Sequence, residues 1–134
     1  MSLKEEDREV IVTYELEKVD KILSQMELQK QMGLWEMVAN RLYYALFHAM
    51  SAMLIHDHHE VGTHRGAVGR FSLYYVKNGI FSKEDAQLYS RLQTLRENGD
   101  YNCFIDVTQD EVENKYEPTL LLIEKIKKHI GSRT

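Results

Sequence analysis

LWEMVANRLYYALFHAMSAMLI, residues 34–55, is apolar almost all round yet carries five polar residues down one side. Placed on a helix, Asn40, Arg41, Tyr44, His48 and Ser51 fall within about 100° of one another, while Leu42, Ala45, Leu46, Ala49, Met50 and Met53 fill the rest. A helix enclosed on most of its circumference holds an Arg and a His only where they meet partners or face a cleft, because an unpaired buried charge is costly. The stripe therefore has two readings. It lines a ligand cleft, or it forms an internal hydrogen-bond network that fixes helix register.

Working outward, the chain reads as five helices with short connections and no strand-like alternation. Ser2 and Glu5 are spaced as a capping box, and Val12, Leu16, Val19, Leu23 and Met26 form one apolar stripe of a helix reaching about Gln31. Gly33 separates that helix from the striped one, which runs to about His56 before the polar turn Asp57 to Gly62. Thr63 is placed to cap a third helix to about Lys77, with Asn78 and Gly79 as its stop. Ser82 caps a fourth, whose first turn holds Glu84 and Asp85 and which Gly99 is expected to end. Thr108 and Glu111 open a fifth, with Val112, Tyr116, Thr119, Ile123, Ile126 and Ile130 on one face. Pro118 lies inside it and removes the hydrogen bond to the Asn114 carbonyl, so a kink or restart is predicted. With no repeat or linker, residues 1–134 are expected to form a single all-α domain, an up-and-down four-helix bundle with an additional shorter helix.

A chain of 134 residues with 43% hydrophobic and 28% charged residues suits a soluble globular domain. The N-terminus is charged from Ser2 to Glu9, and no apolar stretch of membrane-spanning length is free of Arg or His. A cytoplasmic protein with no membrane partner is the expectation. The single cysteine, Cys103, excludes an internal disulfide framework and is read as a passive small residue near a turn. The net charge of −4 argues against a surface that grips nucleic acid everywhere. Residues 62–96 nevertheless carry six Lys and Arg against two carboxylates. Arg65, Arg70, Lys77, Lys83, Arg91 and Arg96 are candidates for a local anion-binding patch with Arg41, if the fold gathers them; otherwise they are solvated helix faces.

Three segments carry a resemblance. Ala39-Asn40-Arg41-Leu42-Tyr43-Tyr44-Ala45-Leu46-Phe47-His48-Ala49, Thr63-His64-Arg65-Gly66 and Leu95-Arg96-Glu97-Asn98-Gly99-Asp100-Tyr101 together resemble the small stand-alone prokaryotic branch of the HEPN family, over nearly the whole chain. The resemblance implies a four-helix bundle with a shorter extra helix, commonly a homodimer. It implies a nucleotide- or RNA-binding protein, and the HEPN component of a toxin–antitoxin pair with a nucleotidyltransferase partner. Many members are metal-independent ribonucleases marked by Arg-x4-6-His. Here Arg96 is followed at that distance by Tyr101, and no His lies between Arg96 and Lys128. A Tyr with a pKa near 10 is a poor general acid or base at neutral pH, so cleavage by the family's usual site is not expected.

Arg41 and His48 also have an Arg-x6-His spacing, but along a helix they stand roughly 10 Å apart, too far to serve one scissile phosphate. An alternative site is assembled across helices. Its catalytic candidates are His48 and Arg96, and its nucleotide or RNA contacts are Arg41, Tyr44, His64, Arg65, Asp100 and Tyr101. The competing reading is a non-enzymatic homodimeric interaction module in which Asp100 pairs with Arg96 or Arg41, and Asn40, Tyr44 and His48 complete a structural network. In the loop, His56, His58, His59 and His64 lie close to Asp57 and Glu60, yet no His-Glu-x-x-His pattern is present. No metal and no cofactor are implied.

Overall fold

The computed structural model describes residues 3–101 and 106–131, with Tyr101 described by its backbone alone. Its elements are α1 (Glu5–Gln31), α2 (Trp35–His56), the short α3 (Ala67–Phe71) running into a π-helical turn (Ser72–Val76), α4 (Lys83–Tyr101) and α5 (Gln109–Ile130). Four long helices and one short one form an all-α bundle, and no strand occurs among the described residues. None of these helices is long and apolar enough to cross a membrane.

The apolar circumference of α2 makes it the central element. It packs against α1, α4 and α5, and twelve of its residues are buried. Ala39, Ala45, Ala49 and Ala52 give the neighbouring helices close approach, while Leu42, Leu46, Met50 and Met53 fill the space between them. Each of these larger side chains contributes about 1.5–3 kcal/mol by leaving water. On α1, Val12, Val19 and Met26 are buried as the stripe predicts, with Leu16 and Leu23 packed at its edge. Arg8 lies on the same face and is also buried. Its Nη1 donates to the Ile55 carbonyl at 2.8 Å, alongside the His58 N–H, which places a cation at the C-terminal end of α2.

Several ends differ from the sequence expectation. Lys4 precedes α1 without a side-chain capping bond, and Ser2 lies outside the described residues, as does Cys103. The third helix begins at Ala67 instead of Thr63. The Thr63 Oγ1 accepts from the Gly66 N–H at 3.2 Å in a turn, so the polar segment before α3 is closed without being helical. Ser82 and Asp85 cap α4 reciprocally, each accepting the other's backbone N–H at 3.1 Å. Gly99 does not end α4. A Cβ there would stand 3.1 Å from the Val107 Cγ2, so the glycine serves close packing inside a helix that continues to Tyr101.

The fifth helix starts as read, with Thr108 and Glu111 in a full capping box. It runs continuously through Pro118, so no restart occurs; Val112, Thr119, Leu122, Ile123, Ile126 and Ile130 hold its apolar face on the core across the missing bond. Replacing Thr108 by alanine removes the cap at this helix start. The expected cost is about 1 kcal/mol, read as a lower urea midpoint with unchanged slope.

Candidate functional site

The polar stripe of α2 faces α1 at one level and α4 with the α2–α3 loop at others, and each polar residue is held differently. Arg96 of α4 is 7% exposed. Its guanidinium lies over the Tyr43 ring at 4.8 Å and the Tyr44 ring at 5.7 Å, its Nη1 reaches the Tyr44 hydroxyl at 3.5 Å, and it stands 3.7 Å from the Asp100 carboxylate. The Asn40 amide donates to Asp100 at 3.2 Å. The Arg41 Nε and Nη2 both donate to the Asn40 Oδ1, at 3.1 and 2.8 Å. A polar chain thus runs from Arg96 through Asp100 and Asn40 to Arg41, where the side chains become half-buried.

His64 enters from the α2–α3 loop. It stacks on Phe47 at 3.9 Å between centroids and meets the Tyr44 ring edge-on at 5.6 Å. Its Nδ1 lies 3.0 Å from the Tyr43 hydroxyl. Burial pushes the His64 imidazole below its ordinary value, and the nearby positive charges of Arg96 and His48 push it further the same way. Burial likewise raises the Tyr43 phenol to about 12 despite Arg96 beside it. A fully buried, protonated phenol whose described partner is one imidazole nitrogen donates to it. His64 is therefore neutral near pH 7, with Nδ1 accepting and Nε2 carrying the proton.

The loop that carries His64 is held by Arg70, whose Nη2 donates to the Thr63 carbonyl at 2.5 Å; the Gln93 amide donates to the His64 carbonyl at 3.5 Å. Gly62 has φ +69°, and a Cβ there would sit 2.4 Å from the Arg70 Nη1. Gly62→Ala is thus expected to displace either the loop or the guanidinium, costing about 1–2 kcal/mol. The His64 ring signals in an NMR spectrum, compared with wild type, check it; unchanged signals contradict this account of the loop.

His48 stands apart from this chain of hydrogen bonds. Its Nδ1 is 2.6 Å from the Glu15 carboxylate of α1, and both side chains are mostly buried. Sequence reading missed Glu15, although the signal was present: it lies three residues after Val12 and four before Val19, on the buried stripe of α1. Tyr43 was also missed, because its phenol shares an apolar sector with Leu42 and Leu46. The basic residues of 62–96 do not gather into one patch. Arg65 is exposed, Arg70 is committed to the loop, Lys77 and Lys83 line a shallow groove between the π-helical turn and α4, and Arg91 lines another between α4 and α5. The side chain of Tyr101 lies outside the described residues.

At the histidine-rich end, Asp57 accepts from the His56 Nδ1 at 2.8 Å, the His129 Nε2 at 2.7 Å and the Tyr75 hydroxyl at 2.8 Å. His59 stacks on Tyr74 at 3.8 Å. Among the described residues, no three His, Cys, Asp or Glu side chains are gathered as a metal site would require.

Residues 13–129 match the HEPN domain family. A UPF0332 protein of Thermotoga maritima is 29% identical over 90% of this chain and 93% of its own length. A second UPF0332 protein, from Archaeoglobus fulgidus, is 28% identical over 87% of this chain and 92% of its own. A Methanocaldococcus jannaschii protein named "Putative toxin" is 26% identical, covering 84% of each chain. The family match spans most of the bundle and includes the α2 stripe, the His64 loop and Arg96, and on that ground the chain belongs to the HEPN domain family.

Proposed function

We propose that this HEPN protein binds nucleotide or RNA and acts as the HEPN half of a toxin–antitoxin pair, as a cytoplasmic homodimer of a single domain with a nucleotidyltransferase partner. The observation that carries the binding reading is the half-buried His64 ring, fixed by the Tyr43 hydroxyl at its Nδ1 and set edge-on to Tyr44, over which the Arg96 guanidinium lies; with Nδ1 accepting, the proton is on Nε2. A neutral N–H donor flanked by cations suits a phosphate oxygen. It does not suit removal of a proton from a ribose 2′-hydroxyl, which requires an unprotonated nitrogen facing the substrate. The reading is therefore binding without cleavage at this site, with Arg41, Tyr44 and His64 making the contacts and the exposed Arg65 beside them in sequence. His48 acts through its pairing with Glu15 instead of on the reacting atoms. The pairing role also draws support from the relatives named "Putative toxin".

The test is binding and cleavage of a labelled single-stranded RNA, with and without magnesium, by wild type, His64→Ala and Arg41→Ala after a melting curve for each. The expected outcome is salt-sensitive binding by wild type, roughly tenfold weaker for each variant, and no cleavage product. No binding by folded wild type sinks the reading. One observation favours the interaction-module alternative: Arg96 is buried and already engaged with Tyr44 and Asp100. Under that reading the wild type binds no RNA, yet sediments as a dimer.

A further inference from the structure

The outer side of α1 carries apolar residues that the bundle does not use. Val10, Tyr14 and Leu28, with Met32 just past the helix end, are between 56% exposed at Tyr14 and 71% at Met32. The same helix buries Val12, Val19, Ile22 and Met26 on its other side. At 100° per residue the four exposed residues fall within about 40° of one another, facing away from Val19. Single exposed apolar residues are ordinary, but four on one line of a helix are a face that lacks a partner. The line is apolar at its two ends and charged in the middle, where Glu17 and Lys21 point the same way. Both are exposed, and neither has an ion-pair partner among the described residues. Lys18 lies at the edge of the line, its ammonium over the Tyr14 ring at 4.8 Å.

The order of these residues selects the occupant. An acidic helix laid on the line opposes Glu17, and a basic one opposes Lys21. A second α1 laid parallel and in register sets each of the two charges against its own kind. We propose that two copies of this chain pair through α1, antiparallel, with the midpoint at the level of Val19. Residues whose numbers sum to 38 then stand level across the interface. Glu17 meets the partner's Lys21, Val10 meets the partner's Leu28, and the large Tyr14 meets the small partner's Ser24. Twofold symmetry repeats each pair, so two central ion pairs lie between two apolar pairs roughly 27 Å apart. The apolar pairs supply the burial, and the charges fix direction and register. The proposal rests on the homodimer reading above and adds the surface that forms it.

The experiment is sedimentation velocity of the intact protein over a concentration series at low ionic strength, where exposed charges are least screened. All substituted positions are exposed, and a melting curve for each variant confirms that it folds. Leu28→Asp sets a carboxylate in both apolar pairs and should raise the dimer Kd about a hundredfold. Glu17→Lys gathers four cations at the centre and Lys21→Glu gathers four carboxylates, so each alone should raise Kd about tenfold. The double variant, with both charges exchanged, should return Kd to within about threefold of wild type. A double variant as weak as either single one overturns the antiparallel register. A wild-type dimer whose Kd none of the variants moves overturns the α1 interface and leaves the homodimer reading standing. A monomeric wild type overturns both.

Discussion

Tyr43→Ala is expected to lower the unfolding free energy by about 3–5 kcal/mol, the range found when a buried aromatic is truncated without collapse of its surroundings. That is a large share of the roughly 5–15 kcal/mol typical of a domain. Tyr43 has no solvent exposure, and its ring is bounded by Tyr44 edge-on at 5.1 Å, Phe47 at 6.3 Å and Tyr89 at 6.2 Å, with the Arg96 guanidinium over its face. Truncation opens a void between α2 and α4 and exposes the Arg96 cation to it. It also removes the hydroxyl that sets the His64 tautomer. Tyr43→Phe separates the two effects: it keeps the packing, costs about 1–2 kcal/mol for the lost buried hydrogen bond, and frees His64 to exchange tautomers. Urea unfolding measures the first effect, and nitrogen chemical shifts of the His64 ring measure the second. A loss below about 1 kcal/mol for the alanine variant would show that the ring is not the keystone of this packing.

Asp57→Ala should cost about 3 kcal/mol, because it strips the shared acceptor from His56, His129 and Tyr75 and leaves three donors without it. Those donors belong to the end of α2, the end of α5 and the π-helical turn, so one carboxylate ties together three parts of the bundle. Burial alone would push the Asp57 carboxyl up; the hydrogen bonds from His56, His129 and Tyr75 outweigh it and hold the group below its ordinary 3.8. A carboxyl lowered on folding contributes stability above its unfolded pKa, and that contribution disappears as pH falls from about 3.8 through the lower folded value. Asp85, held down by Lys125 and Ser82 against its own desolvation, acts in the same window. His64 acts earlier. Its imidazole is lowered on folding, so below about 6.5 the unfolded chain takes up a proton that the folded chain resists, and stability declines from there. Acid destabilisation should therefore come in two stages. Unfolding free energies measured in urea across this range should show a steeper lower stage for wild type than for Asp57→Asn; equal slopes would refute the assignment to Asp57.

Much of the bundle was legible because helices are local objects. The reciprocal bonds of Ser82 with Asp85 and of Thr108 with Glu111 involve residues three apart, and their spacing alone predicts them. Errors arose where a tertiary contact overrode a local preference. Gly99 reads as a helix stop, yet Val107 packs so closely on it that a Cβ would crowd its Cγ2 at 3.1 Å, and the helix continues. Pro118 reads as a break, yet the apolar side chains on both sides of it stay docked on the core and carry one helix across the missing bond.

The polar stripe on α2 marks the limit most clearly. By itself the sequence determined an all-α bundle, the identity of its central helix and the need of Arg41, Tyr44 and His48 for partners, because a 3.6-residue period dictates which side chains share a face. Only the tertiary structure decided that His48 meets Glu15, His64 meets Tyr43 and Arg96 lies between two tyrosine rings. Periodicity specifies direction around one helix axis. It carries no information about the height and rotation at which α1, α4 and the His64 loop pack, and those set which charge finds which acceptor.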